Sequence, residues 1–242
     1  MDFLIRTGLE SRCRQEKVVT CMRFALFAAI IIAFCPAGSW ADDTADIRKK
    51  AGSGDAAAQF EMAQYYESEA DEARSQRRVL RDQKRAVDWY TKAAEQGFAK
   101  AQFNLGRLYV LGKGVERDDA HGIEWQTKAA EQGLAEAQYA IGERYLSGAN
   151  IQQDIEQALD LFNKAANQGL SEAQDQLGTM YFQGVGVEKD LVQAHKWFSI
   201  AAQGDDKSAQ GYLPLLESIM DETQIDEARA LAAQWQADHM GE

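Results

Sequence analysis

Residue types that perform chemistry are sparse in this chain of 242 residues. Its three histidines, His121, His195 and His239, fall in unrelated positions of the sequence pattern. His121 with Asp118 and Glu124 has the composition of a metal site, but such triplets are common on one amphipathic helix, and no metal site is assigned. His195 lies beside Ala194 and Trp197 and reads as a surface or packing residue rather than a general base. No serine is followed by lysine at the third position, and neither Gly-x-Ser-x-Gly nor His-Glu-x-x-His occurs. No glycine loop follows a strand, so nucleotide binding has no support. The expectation is therefore no catalytic residue, no metal and no cofactor.

The one concentrated cluster is basic. Arg74, Arg77, Arg78, Arg81, Lys84 and Arg85 crowd into twelve positions of a chain with 38 acidic and 26 basic residues, net −12. On a helix, Arg74, Arg78, Arg81 and Arg85 share one face. The cluster is either a docking site for an acidic partner segment, an anionic lipid surface or an acidic polysaccharide, or a solvated extension balanced by Glu67, Glu69, Asp71 and Glu72. The acidity of the whole excludes sequence-independent binding of nucleic acid, which needs surplus Lys and Arg. An apolar fraction of 45% excludes a disordered chain.

Residues 22–41, MRFALFAAIIIAFCPAGSWA, place one arginine before an apolar run from Phe24 to Phe34 and end on the small-residue site Ser39-Trp40-Ala41. This is the layout of a secretory signal peptide, too short to span a membrane permanently, and cleavage is expected after Ala41. Residues 1–21 read as an upstream extension, with Met22 the true start. Removing 1–41 takes away five basic and three acidic residues, so 26 and 38 become 21 and 35, net −14. It also removes Cys13, Cys21 and Cys35, leaving an exported chain without disulfides or thiols, periplasmic or secreted. Membrane contact is expected only through the signal segment if it stays uncleaved.

What positions the remaining residues is a repeat of 36. Ala93-Ala94, Ala129-Ala130, Ala165-Ala166 and Ala201-Ala202 recur at that step, as do Trp89, Trp125, Leu161 and Trp197, and Asp82, Asp118, Asp154 and Asp190. Tyr109, Tyr145 and Tyr181 make another series, and Gly106, Gly142 and Gly178 a further one. Within a unit, Ala101, Leu105, Gly106 and Tyr109 fall on one helical face, and Gly122, Trp125, Ala129 and Ala130 on another. Each unit is thus a helix A and a helix B joined by a glycine-containing reversal. Asp118, Asp154 and Asp190 are placed to cap helix B, with Gln157 and Gln193 completing capping boxes, and Gly97, Gly133 and Gly169 end it. The helix A glycines imply close helix approach, with Trp or Tyr rings over the gap; the glycine, alanine, Trp and Tyr series read as core.

The motifs A-Q-x-x-L-G-x-x-Y at 101–109, A-Q-x-x-I-G-x-x-Y at 137–145 and A-Q-x-x-L-G-x-x-Y at 173–181, with G-x-G-V-x-x-D at 112–118 and 184–190, closely resemble the Sel-1-like repeat, a relative of the tetratricopeptide repeat, here of an exported bacterial type. The resemblance implies an all-α, right-handed solenoid of stacked antiparallel helix pairs whose A helices line a concave face that holds another protein. The expected organisation is a capping half-repeat at 42–55, repeat 1 with the basic insertion at 56–97, repeats at 98–133, 134–169 and 170–204, and a closing helix pair at 205–242. By analogy with tetratricopeptide arrays, the groove-facing residues are Phe103, Arg107, Tyr139, Glu143, Asp175, Thr179 and Phe182, aromatic anchors with isolated charges suited to a peptide. A monomeric, non-catalytic scaffold for envelope assembly or signalling follows. The competing readings are a β-lactam hydrolase, after cysteine-rich relatives whose paired cysteines this chain lacks, and a secreted factor that binds a host protein.

Overall fold

The structure is a computed structural model that describes residues 39–204 and 206–239, with backbone alone for 39–43. The upstream extension and most of the signal-peptide segment lie outside the described residues, and only Ser39, Trp40 and Ala41 of that segment fall within the first helix. All the described regular structure is helical: α1 Ser39–Gly52, α2 Ala56–Asp71, α3 Gln76–Glu95, α4 Ala99–Leu111, α5 Asp119–Glu131, α6 Ala135–Ser147, α7 Ile155–Asn167, α8 Ser171–Gln183, α9 Leu191–Gln203, α10 Lys207–Ile219 and α11 Glu222–His239. From residue 50 on, the described residues form one unit, a solenoid in which α2/α3, α4/α5, α6/α7 and α8/α9 pair as helices A and B and each B helix packs on the next A helix. Among the described residues no helix is long and apolar enough to cross a membrane.

The loops explain the fixed spacing from Tyr to Asp. Asp118, Asp154 and Asp190 cap helix B by accepting from the backbone N–H three residues on, at 3.0 Å in each case. Their own N–H groups donate to Tyr109, Tyr145 and Tyr181 carbonyls at 3.0 Å, so each loop is clipped at both ends. That bond replaces the expected capping boxes: Gln157 and Gln193 are not needed to satisfy the cap N–H. A reciprocal box forms instead at Asp221 and Gln224, at 2.9 and 3.1 Å, where α11 starts.

Of the expected tryptophans only Trp197, 5% exposed, belongs to the buried core, and the main ring register lies one residue later. Tyr90, Phe162 and Phe198 are fully buried, whereas Trp89 and Trp125, one residue earlier, are half-buried and carry Lys92 and Lys128 over their rings at 4.0 and 4.1 Å. Each buried ring contributes roughly 1.5–3 kcal/mol relative to exposure. Rings do cover two of the helix A glycines, but they are phenylalanines. A Cβ added at Gly142 or Gly178 would meet Phe162 or Phe198 at 2.8 Å. In the α4/α5 pair the ring position holds Gln126, the facing alanine position holds Gly122, and the two backbones touch: a Cβ on Gly106 would lie 2.5 Å from the Gly122 carbonyl oxygen.

Two further departures concern the ends and the insertion. The segment α10 and α11 is not a closing pair packed like a repeat, because α11 folds back onto α9. Trp235 anchors it, packing on Trp197 with ring centroids 5.9 Å apart and donating its indole N–H to Asn167 Oδ1 at 3.2 Å. In the first repeat α2 and α3 are both longer than their counterparts, so Asp82, in the register of the caps, lies inside α3, and Ser75 caps that helix instead.

Candidate functional site

Three of the six basic residues turn inward onto that displaced aspartate. Arg81 donates to Asp82 at 2.9 and 3.0 Å, Arg85 at 3.3 Å, and Arg78 approaches at 3.5 Å while also pairing with Glu69. Asp82 is 2% exposed although the arginines are about half exposed, so its cover consists of the arginines themselves. The hydrogen bonds from Arg81, followed by the neighbouring positive charges, hold its carboxyl below the usual range. Arg74 lies in the turn before α3, so the expected four-arginine face reduces to Arg78, Arg81 and Arg85. Arg74, Arg77 and Lys84 are exposed. Asp82→Ala is expected to fray the extension of α3, with amide exchange roughly tenfold faster across 76–81 than in the parent while α5 to α9 are unchanged.

The expected groove residues sit on successive A helices with mixed surroundings. Phe103 is half-buried against the cluster of Ala129, Ala130, Ala137 and Ile141. Arg107 pairs with Glu67 of the preceding A helix, and Glu67 also accepts the Tyr90 hydroxyl proton at 2.9 Å. Glu67 was not foreseen as a groove residue because its partner is 40 positions away. Tyr139 packs on Phe162 with centroids 5.7 Å apart and donates to Glu143 at 3.1 Å. Burial, then the charges of Glu143, Glu172 and Asp175, push the Tyr139 phenol up, so it stays a neutral donor. Asp175 is half-buried with Oδ1 lacking a hydrogen-bond partner; burial and then Asp206 raise its pKa. Thr179 is half-buried, and Phe182 packs on Tyr212 at 6.0 Å under Lys189. The structure therefore brings Tyr139, Glu143 and Asp175 together, and sets Arg107 with Glu67 and Phe182 with Tyr212 to either side.

The histidines are accounted for by packing. Trp125 donates to His121 Nε2 at 3.1 Å, Glu124 lies 3.5 Å from Nδ1, and the Tyr109 ring stands edge-on at 4.6 Å. Among the described residues no group of three or more His, Cys, Asp or Glu is arranged to hold a metal ion. His195 is 2% exposed, with Ser199 Oγ 3.2 Å from Nδ1 and Glu217 3.5 Å from Nε2. Burial lowers its pKa from the ordinary 6.5, against the pull of Glu217, which is itself shared with Arg229 at 2.8 Å. The unfolded chain takes up this proton below 6.5 and the folded chain resists it. Stability is therefore full above that value and is lost as pH falls toward the folded pKa. Chemical denaturation from pH 7 to pH 5 should show this decline, and His195→Gln should flatten it.

Sequence reasoning missed a ladder of buried glutamines. Gln59, Gln102, Gln138 and Gln174, each 3–5% exposed, donate through Nε2 to the carbonyls of Ala51, Ala94, Ala130 and Ala166 in the preceding helix, at 3.1–3.4 Å. The repeated Ala-Gln pair was the available signal; its partner, a backbone carbonyl eight residues earlier, leaves no side-chain signature.

These repeats, loops and ladder define a class of protein built from stacked two-helix units. The Sel1 repeat model matches four times, at residues 56–98, 99–134, 135–170 and 171–206, and the chain belongs to the Sel1 repeat family. The chain is similar to the crystal structure of a protective antigen present in uropathogenic Escherichia coli strains that displays an SLR fold, with 34% identity and a TM-score of 0.72. That match covers 86% of this chain but 43% of the antigen, so the chain spans less than half the antigen's length. A Sel1 repeat protein from Oxalobacter formigenes matches at 29% identity and TM-score 0.61 over 75% of this chain and 73% of that one. A comparison with curated proteins gives no match.

Proposed function

We propose that this protein is a non-catalytic adaptor that binds another protein or peptide along its A helices, acting in the periplasm or beyond it after loss of the segment ending near Ala41. Sel1 repeat proteins generally bind other proteins, and the observation that carries the reading here is the row of A-helix side chains that stay partly exposed at the edge of the core. Tyr139, Glu143, Asp175 and Phe182 offer ring surface and hydrogen-bonding groups on a scaffold that is already ordered. Binding to a preformed surface costs little ordering entropy, and rigid aromatic anchors supply area with few rotatable bonds. The seat of action proposed is envelope assembly or signalling.

The test is affinity capture from an envelope extract by purified protein, with Tyr139→Ala and Phe182→Ala variants that retain the parent's helix content. A specific captured protein whose recovery falls in both variants supports the proposal. Hydrolysis of a chromogenic β-lactam by the same preparation, or capture unaffected by either substitution, would contradict it.

A further inference from the structure

The glutamine ladder has a second set of bonds. Gln59, Gln102 and Gln138 each accept, through Oε1, a proton from the carboxamide of the glutamine that ends the paired B helix: Gln96 at 2.7 Å, Gln132 at 2.6 Å and Gln168 at 2.8 Å. At the fourth step that position is Gly204. Gln174 is 3% exposed and its Nε2 is committed to the Ala166 carbonyl at 3.1 Å, yet its Oε1 meets no hydrogen-bond donor among the described residues. The atom is not sealed from the cavity that Gln174 lines, so water supplies the donor that the chain does not, and a ligand N–H would take that water's place.

Gln174 lines a cavity of about 650 Å³ at the junction of α7, α8, α9 and α11. Its polar wall is made by Asn167, Gln168, Ser171, Gln203 and Gln236, over an apolar floor that includes Trp235. In a chain of net −12 the described residues of this wall include no carboxylate, ammonium or guanidinium, and His239 is the one titratable side chain among them. A charged ligand would be desolvated there without a counter-charge, whereas a neutral amide finds both donors and acceptors. The Trp235 indole N–H fixes Asn167 with Oδ1 as acceptor, which leaves Asn167 Nδ2 as a donor. A side chain at 204 is blocked, because its Cβ would lie 2.1 Å from Ser171 Oγ; Ala99 and Ala135 occupy the Ser171 position in the preceding repeats.

We propose that this cavity takes the carboxamide of a glutamine side chain from a partner polypeptide, which gives Gln174 the hydrogen bond that Gln96, Gln132 and Gln168 supply at the other steps. The proposal rests on the protein-binding reading above and names one feature of the partner. The incoming NH₂ donates to Gln174 Oε1, and its carbonyl accepts from Asn167 Nδ2 or Ser171 Oγ. A glutamate at the same place has the shape but no N–H, and brings a charge into a neutral wall.

The test titrates the full-length, ¹⁵N-labelled protein with acetyl-Ala-Gln-Ala-amide and with its Glu and Leu counterparts, reading the Trp235 indole and Gln174 side-chain amide signals. Saturable shifts at both signals are expected with the glutamine peptide, with affinity roughly tenfold weaker for the other two. No saturable shift at these signals, or equal affinity for all three peptides, overturns the proposal. Ser171→Ala with Gly204→Gln supplies the donor from within the chain and should weaken peptide binding roughly tenfold; undiminished binding overturns the site. If that double variant does not fold, Gln174→Met removes the acceptor, together with the bond to the Ala166 carbonyl, and carries the same expectation. Partner capture that persists while the glutamine peptide gives no response overturns this site and leaves the adaptor function standing. A peptide response without any captured partner does the reverse.

Discussion

Gly106→Ala is expected to destabilise the protein by about 3 kcal/mol, at the upper end of overpacking effects, and to lower the thermal midpoint more than the same change at Gly142 or Gly178. The added methyl at Gly106 meets the Gly122 carbonyl oxygen at 2.5 Å and Gln126 Cγ at 2.7 Å. A backbone carbonyl cannot rotate away as a side chain can, so α4 and α5 must separate and the packing on both sides of them must follow. At Gly142 and Gly178 the obstacle is the ring of Phe162 or Phe198, which can tilt within its pocket. Urea denaturation of the three variants gives the comparison directly. A Gly106→Ala protein as stable as Gly142→Ala would show that the direct backbone approach does not hold this pair together.

Gln102→Leu is expected to cost about 2 kcal/mol despite replacing a polar residue by an apolar one in a site that is 5% exposed. Two bonds are lost: that of Gln102 Nε2 to the Ala94 carbonyl at 3.1 Å, which keeps the Gly97 N–H at 2.9 Å, and that of the Gln132 carboxamide to Gln102 Oε1 at 2.6 Å. Each bond contributes roughly 1 kcal/mol, and burial of the leucine offsets only part of their sum. Because the bond to Ala94 joins one repeat to the next, the variant should exchange its α3/α4 junction amides faster than amides within α7, a pattern that hydrogen exchange resolves.

The repeat made the architecture legible before any coordinates, and residues such as Asp118, Asp154 and Asp190 could be assigned a role because a cap acts on its own helix three residues away. The errors have a common cause, namely partners outside the local pattern. Trp125 and Phe162 both satisfy helical periodicity, and only the approach of the facing A helix decides that the register of Phe162 is interior. Gln102 and Gln138 look like surface residues until their acceptors, supplied by the previous unit, are seen. Asp82 stood in the correct register for a cap but lost that role when α3 gained length on its N-terminal side. Trp235 belongs to no repeat register, so nothing in the 36-residue period foretold that α11 would dock on α9. The groove residues were placed by analogy of position, and their charge balance, with Arg107 tied to Glu67 and Glu143 to Tyr139, emerged only from contacts between side chains.

The central claim is that the A-helix side chains form the protein-binding surface. Its most direct measurement places a photo-crosslinking amino acid singly at Phe103, Tyr139 and Phe182 on A helices and at Trp89, Trp125 and Lys164 on B helices, with irradiation in the native envelope. One and the same crosslinked partner is expected from the three A-helix positions, and background yield from the B-helix positions. Equal yields from both sets, or crosslinks confined to the B helices, would contradict it.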